Sequence, residues 1–337
     1  MTATRTKVDY FRIRTQSSPI AVFTAFRKHL KSPDDWVLMP PEKGVDGWEE
    51  RRAFYLKGQQ PLAWVDYGGE SQRGWVRLTV AGSGCDYVAD WSEVVELSKS
   101  LESCTIRRID LALDIFDGSS SHESVLAAHE SGRFKRFEGG RNPKMKKIEG
   151  SCKTDGRTVY IGARTSSRFI RCYEKGWQLC TKFPETFKTE DLRVFLPGAV
   201  DSVKVSDYYR VELELKAVDG ALIPWGVLNA PDAFFAGGAP YLSDLVRSAP
   251  ERLPVAPELD SVVELEAMIQ NCRIAYGGLF KAWSAIHGDS DAAKVQLFDE
   301  VMADVPSDRL LKNGVLLLTV AEMMAEQRSK RQACADA

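Results

Sequence analysis

An α+β fold is predicted, with a mostly antiparallel sheet carrying helices on one face and a helical C-terminal region after it. Three observations predict it. Period-two runs recur from Val8 to Lys216 and are mixed with helical stretches, without a regular βαβ rhythm. Turn residues separate those runs. Beyond Ala217 the pattern changes to heptad-like apolar spacing. At about 150 residues per domain, 337 residues suggest two domains, placed here at 1–216 and 217–337.

Val8–Arg14 alternates as a strand. Ser18-Pro19 then supplies an N-cap and a first-turn proline for a helix to about Leu30. Leu62–Tyr67 and Trp75–Val80 are aromatic and β-branched strands between glycine turns. Asp90 with Glu93 resembles a capping box for a helix to about Leu101. Thr105–Ile115 is the clearest strand, and a helix over about Ser121–Glu130 follows it. Thr158–Ile161, Arg168–Lys175 and Tyr208–Lys216 read as three more strands. The Gly/Pro/Ala-rich stretch Asn229–Pro240 reads as a separator. Ser261–Ile286 spaces Val262, Leu265, Ile269, Cys272, Tyr276, Leu279, Trp283 and Ile286 by threes and fours, as in the buried face of a core helix or a coiled-coil seam. Val315–Gln332 is a further amphipathic helix, and no internal repeat is visible in the sequence.

Hydrophobic residues at 44% and charged residues at 27% exclude disorder. No stretch approaches the ~20 apolar residues of a membrane span. Seven scattered cysteines without a CxxC pair suit a reducing compartment, and a cytoplasmic location is expected. The net charge of -2 conceals a polarity: residues 131–180 hold 13 Lys+Arg against 4 Asp+Glu, which is +9 and leaves -11 for the rest. Seven of those cations lie between Arg133 and Lys147, with Gly139 and Gly140, as in a loop that tracks phosphates.

Alternation divides each strand into two faces. Ile109, Leu111, Leu113 and Ile115 oppose Arg108, Asp110, Ala112 and Asp114, while Val211, Leu213 and Leu215 oppose Arg210, Glu212, Glu214 and Lys216. Phe169, Arg171, Tyr173 and Lys175 share a third face. If the three strands are neighbours, one open surface gathers up to four carboxylates, several cations and a tyrosine. Carboxylates two residues apart on one face repel unless cations compensate, and Mg²⁺ or Mn²⁺ suits such oxygen ligands. A tyrosine beside such a metal is a nucleophile for a phosphodiester, with Arg and Lys lowering its pKa from ~10.

RIDLALDIFDG (Arg108–Gly118), TVYIGARTSSRFIRCYEK (Thr158–Lys175) and YRVELELK (Tyr209–Lys216) resemble the Rep_trans family of replication initiation factors, the rolling-circle initiators of staphylococcal-type plasmids and many filamentous phages. The resemblance implies a metal-dependent, site-specific endonuclease and strand transferase. It nicks one strand at a phage or plasmid origin through a tyrosyl-5′-phosphate and leaves a 3′ hydroxyl for synthesis. The family tyrosine falls on Tyr173, with Arg171 and Lys175 beside it. The metal elements fall on Asp110, Asp114, Glu212 and Glu214, with Mg²⁺ or Mn²⁺ as cofactor. Tyr160 is the nearest competitor as nucleophile, but its face carries Thr158 and Gly162 rather than cations.

Arg133, Lys135, Arg136, Lys144, Lys146, Lys147, Arg164 and Arg168 are the expected DNA contacts. Expected partners are origin DNA, single-stranded or in a hairpin at the nick, a host helicase and a second copy of the chain. The four histidines include no pair two apart, so a His-hydrophobic-His metal strand is excluded; His122 and His129 are expected in surface or capping roles. A non-enzymatic origin-binding initiator and a conjugative relaxase are the alternatives.

Overall fold

The computed structural model describes residues 6–137, 139–150, 155–182, 204–218, 221–254, 261–288 and 290–301. Two compact units divide the chain, Met1–Ala256 and Pro257–Ala337. The first unit is one large antiparallel sheet with helices. Its strands are β1 (Thr6–Thr15), β2 (Trp36–Leu38), β3 (Glu42–Lys43), β4 (Glu50–Leu56), β5 (Ala63–Tyr67), β6 (Val76–Ala81), β7 (Thr105–Ile115), β8 (Met145–Ile148), β9 (Thr158–Ile161), β10 (Arg168–Tyr173) and β11 (Tyr209–Lys216). They run in the order β2-β4-β5-β6-β1-β7-β11-β10-β9-β8, with β3 paired to β4.

That order contains a repeat that the sequence conceals. The first half runs β1, α1 (Pro19–Arg27), β2, β4, β5, β6; the second runs β7, α3 (His122–Glu130), β8, β9, β10, β11, after the single-turn helix α2 (Leu97–Ser100). In each half the first strand is central and pairs with the last, and the middle strands step outward. β1 and β7 join the halves, with Tyr10 opposite Asp110. Arg77 opposes Arg14 and Asp66 in the first half, as Arg210 opposes Asp114 and Tyr173 in the second. Only an alternation survives in sequence, VRLTVA (Val76–Ala81) against YRVELE (Tyr209–Glu214). A repeat of pleat and pairing, without matching side chains, leaves no sequence signal.

One face of the sheet builds the core. Phe11, Ile13, Leu78, Ile109, Leu111, Val211 and Leu213 are buried there against Val22 and Phe26 of α1 and Val125 of α3. Ser18 caps α1, its side chain accepting from the Ala21 amide, and the helix stops at Arg27, short of Leu30. Ser121 caps α3 in a reciprocal capping box with Ser124. Asp90 instead accepts from Ser92, and only a 3-10 turn over Glu93–Glu96 and the short α2 follow. Cys85, Cys104 and Cys172 are buried free thiols.

Residues 221–254, expected with the C-terminal helices, fall in the first unit with the sheet. The presumed separator forms α5 (Pro231–Gly237), followed by α6 (Pro240–Val246). The prolines start both helices at their first turns, and Phe234, Phe235 and Leu242 enter the core. Asp232 fixes α5 to β1 by accepting from the Thr6 amide and hydroxyl at 2.8 and 2.7 Å. A Cβ at Gly237 would run into the Glu251 carbonyl. Gly237→Ala is therefore expected to cost about 1–3 kcal/mol, read from urea unfolding midpoints.

The second unit contains α7 (Ser261–His287) and α8 (Asp291–Val301). Of the expected apolar stripe on α7, Tyr276, Leu279 and Ile286 are exposed rather than buried. The expected helix Val315–Gln332 lies outside the described residues. No helix among the described residues is long and apolar enough to cross a membrane.

Candidate active site

The three acidic and tyrosine-bearing strands are neighbours, in the order β7-β11-β10. Asp110 stands opposite Glu214, Ala112 opposite Glu212 and Asp114 opposite Arg210. Across the next ladder Glu212 faces Arg171 and Tyr173 faces Arg210. Because the other faces of these strands are apolar and buried, register alone collects the charges on one surface.

At its centre the Tyr173 hydroxyl donates to Glu212 Oε1 at 2.5 Å, and Arg171 Nε donates to Glu212 Oε2 at 2.8 Å. Tyr173 and Glu212 are 6% and 3% exposed, so this contact lies below the surface. Burial, and then the Glu212 charge, push the Tyr173 phenol well above its ordinary value, and Arg210 and Arg171 only moderate that rise. The cations were expected to help lower the pKa of this phenol. They do not bring it below its ordinary value, because burial raises the phenol first and the Glu212 charge beside it adds to that rise. The neutral phenol instead has a base in place.

Lys175 is not on β10. The strand ends at Tyr173, and Lys175 opens the helix α4 (Lys175–Lys182). Its Nζ still lies 5.5 Å from the centre of the Tyr173 ring. Burial, then the proximity of Arg210, hold the ammonium down to about 8. Gly176 makes the turn into α4 possible, since a Cβ there would collide with the Val205 carbonyl.

The four carboxylates separate into two groups. Asp114 accepts from Arg210 at 2.5 and 2.8 Å and from Tyr208 at 3.0 Å, and pairs with Lys7 at 3.0 Å. Although burial opposes ionisation, those cations hold its carboxyl below the ordinary range, and it has no oxygen left for a metal. Asp110, Glu212 and Glu214 line a small cleft of about 50 Å³ with Arg108, Arg164 and Arg171. Arg108 bonds Asp110 through two nitrogens at 2.8 and 2.7 Å and reaches Glu214 at 2.8 Å. Asp110 is nevertheless raised to about 6, first by burial and further by Glu214 and Glu212, against the opposing pull of Arg108.

Three crowded oxygen donors of this kind suit a hard divalent cation in chemistry. Each is turned onto an arginine, however, and no three Asp, Glu, His or Cys side chains among the described residues stand close enough to hold one. Asp110 is held by Arg108, Glu212 by Arg171 and Tyr173, Glu214 by Arg108 and Lys216, and Asp114 by Arg210 and Lys7. Arg210→Ala leaves the part-buried Asp114 and Asp9 without their guanidinium, with Lys7 and Tyr208 still on Asp114, and is expected to cost about 1–3 kcal/mol in urea unfolding.

The expected DNA contacts divide between the two faces. Arg164 lies on the open face, 5.4 Å from the Tyr160 ring and 5.5 Å from Phe169. Lys146 is in register with Tyr160, which is in register with Arg171. Tyr160 therefore adjoins the site, contrary to its reading as a tyrosine without cations. Arg168 instead donates to the carbonyls of Phe134 and Gly238, and Arg133 pairs with Asp244 of α6; both brace the helix-covered side. Arg136 and Lys144 line a cleft of about 370 Å³ at the β9–β10 turn, and Lys135 and Lys147 are exposed.

His122 is not on the surface: it is 1% exposed, with both ring nitrogens lacking a hydrogen-bond partner and Nε2 3.7 Å from Glu149. His129 bonds the Pro143 carbonyl at 2.7 Å, anchoring the basic loop. Sequence reasoning missed Arg108 and Arg210 as partners of the carboxylates, although both stand on the charged faces it drew.

Residues 104–246 match the family model Rep_trans, replication initiation factor. The resemblance to replication initiation factors holds. The matched segment contains β7 to β11, α5 and α6, and so the whole constellation around Tyr173. A similar solved structure is that of a rolling circle replication initiator protein from Geobacillus stearothermophilus, with a TM-score of 0.49 and 19% identity, covering 75% of this chain and 92% of that one. No curated protein matches the sequence.

Proposed function

We propose that this chain starts rolling-circle replication by nicking and rejoining one DNA strand at an origin, with Tyr173 as nucleophile. The observation that carries the reading is the buried Tyr173–Glu212 contact between Arg171 and Lys175, inside the segment that matches replication initiation factors. Tyr173 Oη attacks the phosphorus in line, and its proton passes to Glu212. The new O–P bond forms as the bond to the 3′ oxygen breaks. That oxygen leaves toward Lys175, whose ammonium, at about 8, gives up a proton near neutral pH.

Arg171 and Arg164 border the same cleft and meet the non-bridging oxygens. The tyrosyl ester conserves the phosphodiester linkage, so attack by the free 3′ hydroxyl rejoins the strand. Asp110, Glu212 and Glu214 would hold Mg²⁺ or Mn²⁺, which supplies polarisation of the phosphoryl oxygens when bound. Lys146 and the exposed cations of the basic loop contact the DNA backbone. Extension from the 3′ hydroxyl needs unwound template, which makes a helicase the expected partner.

The test is incubation with supercoiled DNA carrying the cognate origin, with Mg²⁺ or Mn²⁺. Relaxed circles and a protein–DNA adduct whose peptide maps to Tyr173 are expected. An adduct on Tyr160, or binding without cutting under both metals, contradicts the proposal.

A further inference from the structure

The first half of the sheet presents the face that corresponds to the active site, but with its chemistry replaced. The pairings place Thr79 where the second half has Glu212, Asp66 where it has Tyr173, and Tyr10 where it has Asp110. Asp66 is fully buried and bonded by Arg51 and Arg77, so it is a brace rather than a nucleophile. What fills the rest of this face is arginine on aromatic rings. The Arg14 guanidinium lies 4.3 Å from the Trp75 ring, Arg12 5.3 Å from Tyr10, and Arg51 5.7 Å from Trp64.

Two of these arginines lack a counter-charge. Among the described residues Arg12 and Arg14 make no ion pair, and the Nε of each is buried without an acceptor. Burial lowers the affinity of both guanidinium groups for their protons, and Arg77 and Arg108 add repulsion at Arg12. A half-buried guanidinium without a counter-charge is costly alone, and an anion at its terminal nitrogens relieves that cost. Tyr10 connects this face to the site, because the guanidinium of Arg108, which bonds Asp110, lies 4.2 Å from its ring.

We propose that the face of β1 carrying Tyr10, Arg12 and Arg14, with Trp75 beside it, is a platform for single-stranded DNA, on which Arg12 and Arg14 neutralise phosphates while bases stack against Tyr10, Trp75 and the guanidinium planes. The proposal rests on the nicking reading and extends it: the unpaired strand runs from the scissile phosphate across the sheet. Four strand spacings separate β10 from β6, about 19 Å. A sheet face with partly exposed rings takes splayed bases, whereas duplex readout needs an element that enters a groove. The first half is on this account a copy of the nuclease half, turned from chemistry to substrate holding.

Anisotropy of a labelled oligothymidylate with the full chain tests this without any cutting step. Trp75→Ala should weaken binding at least about fivefold. Arg12→Ala with Arg14→Ala should lower the slope of log affinity against log salt by about 1.4, at roughly 0.7 per phosphate contact. Arg14→Lys should keep that slope, and Trp75→Phe most of the affinity, which separates contact from misfolding. Wild-type affinity and slope in the alanine variants overturn the proposal, as does a loss of duplex binding without loss of oligothymidylate binding. Tyr173→Phe should bind oligothymidylate as the wild type does; absence of nicking by the wild type with Arg14-dependent binding removes the nicking reading alone, and nicking by the wild type with Arg14-independent binding removes this one alone.

Discussion

Tyr173→Phe should abolish both strand cleavage and the covalent adduct while leaving the fold in place. The phenol is buried, and deleting its oxygen removes one donor to Glu212. Arg171 still bonds that carboxylate, and Arg210 Nη1 lies 3.8 Å from it. The partner is therefore not stranded, and the loss in stability should stay near 1 kcal/mol, the usual worth of one hydrogen bond. Cleavage, by contrast, loses its nucleophile and should fall to background.

Glu212→Gln provides the matching control. An amide accepts the phenol's hydrogen bond but takes no proton, and the rate should fall by about 10²–10⁴. Tyr160→Phe should keep the adduct, since Tyr160 is stacked on Phe169 at 5.7 Å beside the site and its hydroxyl meets no carboxylate among the described residues. Gel-shift of labelled origin DNA to protein, run beside urea unfolding of each variant, checks all three. An adduct that persists in Tyr173→Phe and vanishes in Tyr160→Phe reverses the assignment.

Much of this site was legible because β-structure writes its faces in alternation. Ile109, Leu111, Leu113 and Ile115 had one possible side, so Arg108, Asp110 and Asp114 had the other, and a single shift of register would have put charges in the core. That argument yields a surface but not distances along it. Asp110 and Asp114 share a face four residues apart, about 13 Å along a strand. Side-chain parity could not show that Asp114 meets Arg210 while Asp110 meets Glu214. The end of β10 was also misplaced, because Glu174-Lys175 continues the alternation; Gly176, packed on the Val205 carbonyl, turns the chain into α4 instead. Asn229–Pro240 read as a separator because its prolines and glycines were counted as breakers, although Pro231 and Pro240 each stand at a helix start. The repeat of the two halves was hidden for the deepest reason, since strand order is a tertiary property that a sequence of alternating residues does not record.

Asp110→Asn should make the protein more stable above pH 6 and inactive. Asp110 is 4% exposed and raised from 3.8 to about 6. A carboxyl whose folded value exceeds its unfolded one binds its proton more tightly in the native state. The stability it contributes is full below about 3.8, and is lost as pH rises through about 6. At 1.36 kcal/mol per pH unit the rise amounts to about 3 kcal/mol against the folded, ionised form at neutral pH. An asparagine carries no such charge, though it gives up the two-nitrogen contact with Arg108, so a net gain of about 2 kcal/mol is expected near pH 7.5 and almost none near pH 4. The same crowding of Asp110 with Glu212 and Glu214 is what a divalent cation would relieve, so Mg²⁺ should raise the melting temperature of the wild type more than that of the variant. Urea midpoints at the two pH values, with and without Mg²⁺, measure both effects. A variant less stable than wild type at pH 7.5 would mean that Arg108 compensates Asp110 fully. The cleft would then be an arginine-carboxylate brace, and the metal assignment would lose its physical basis.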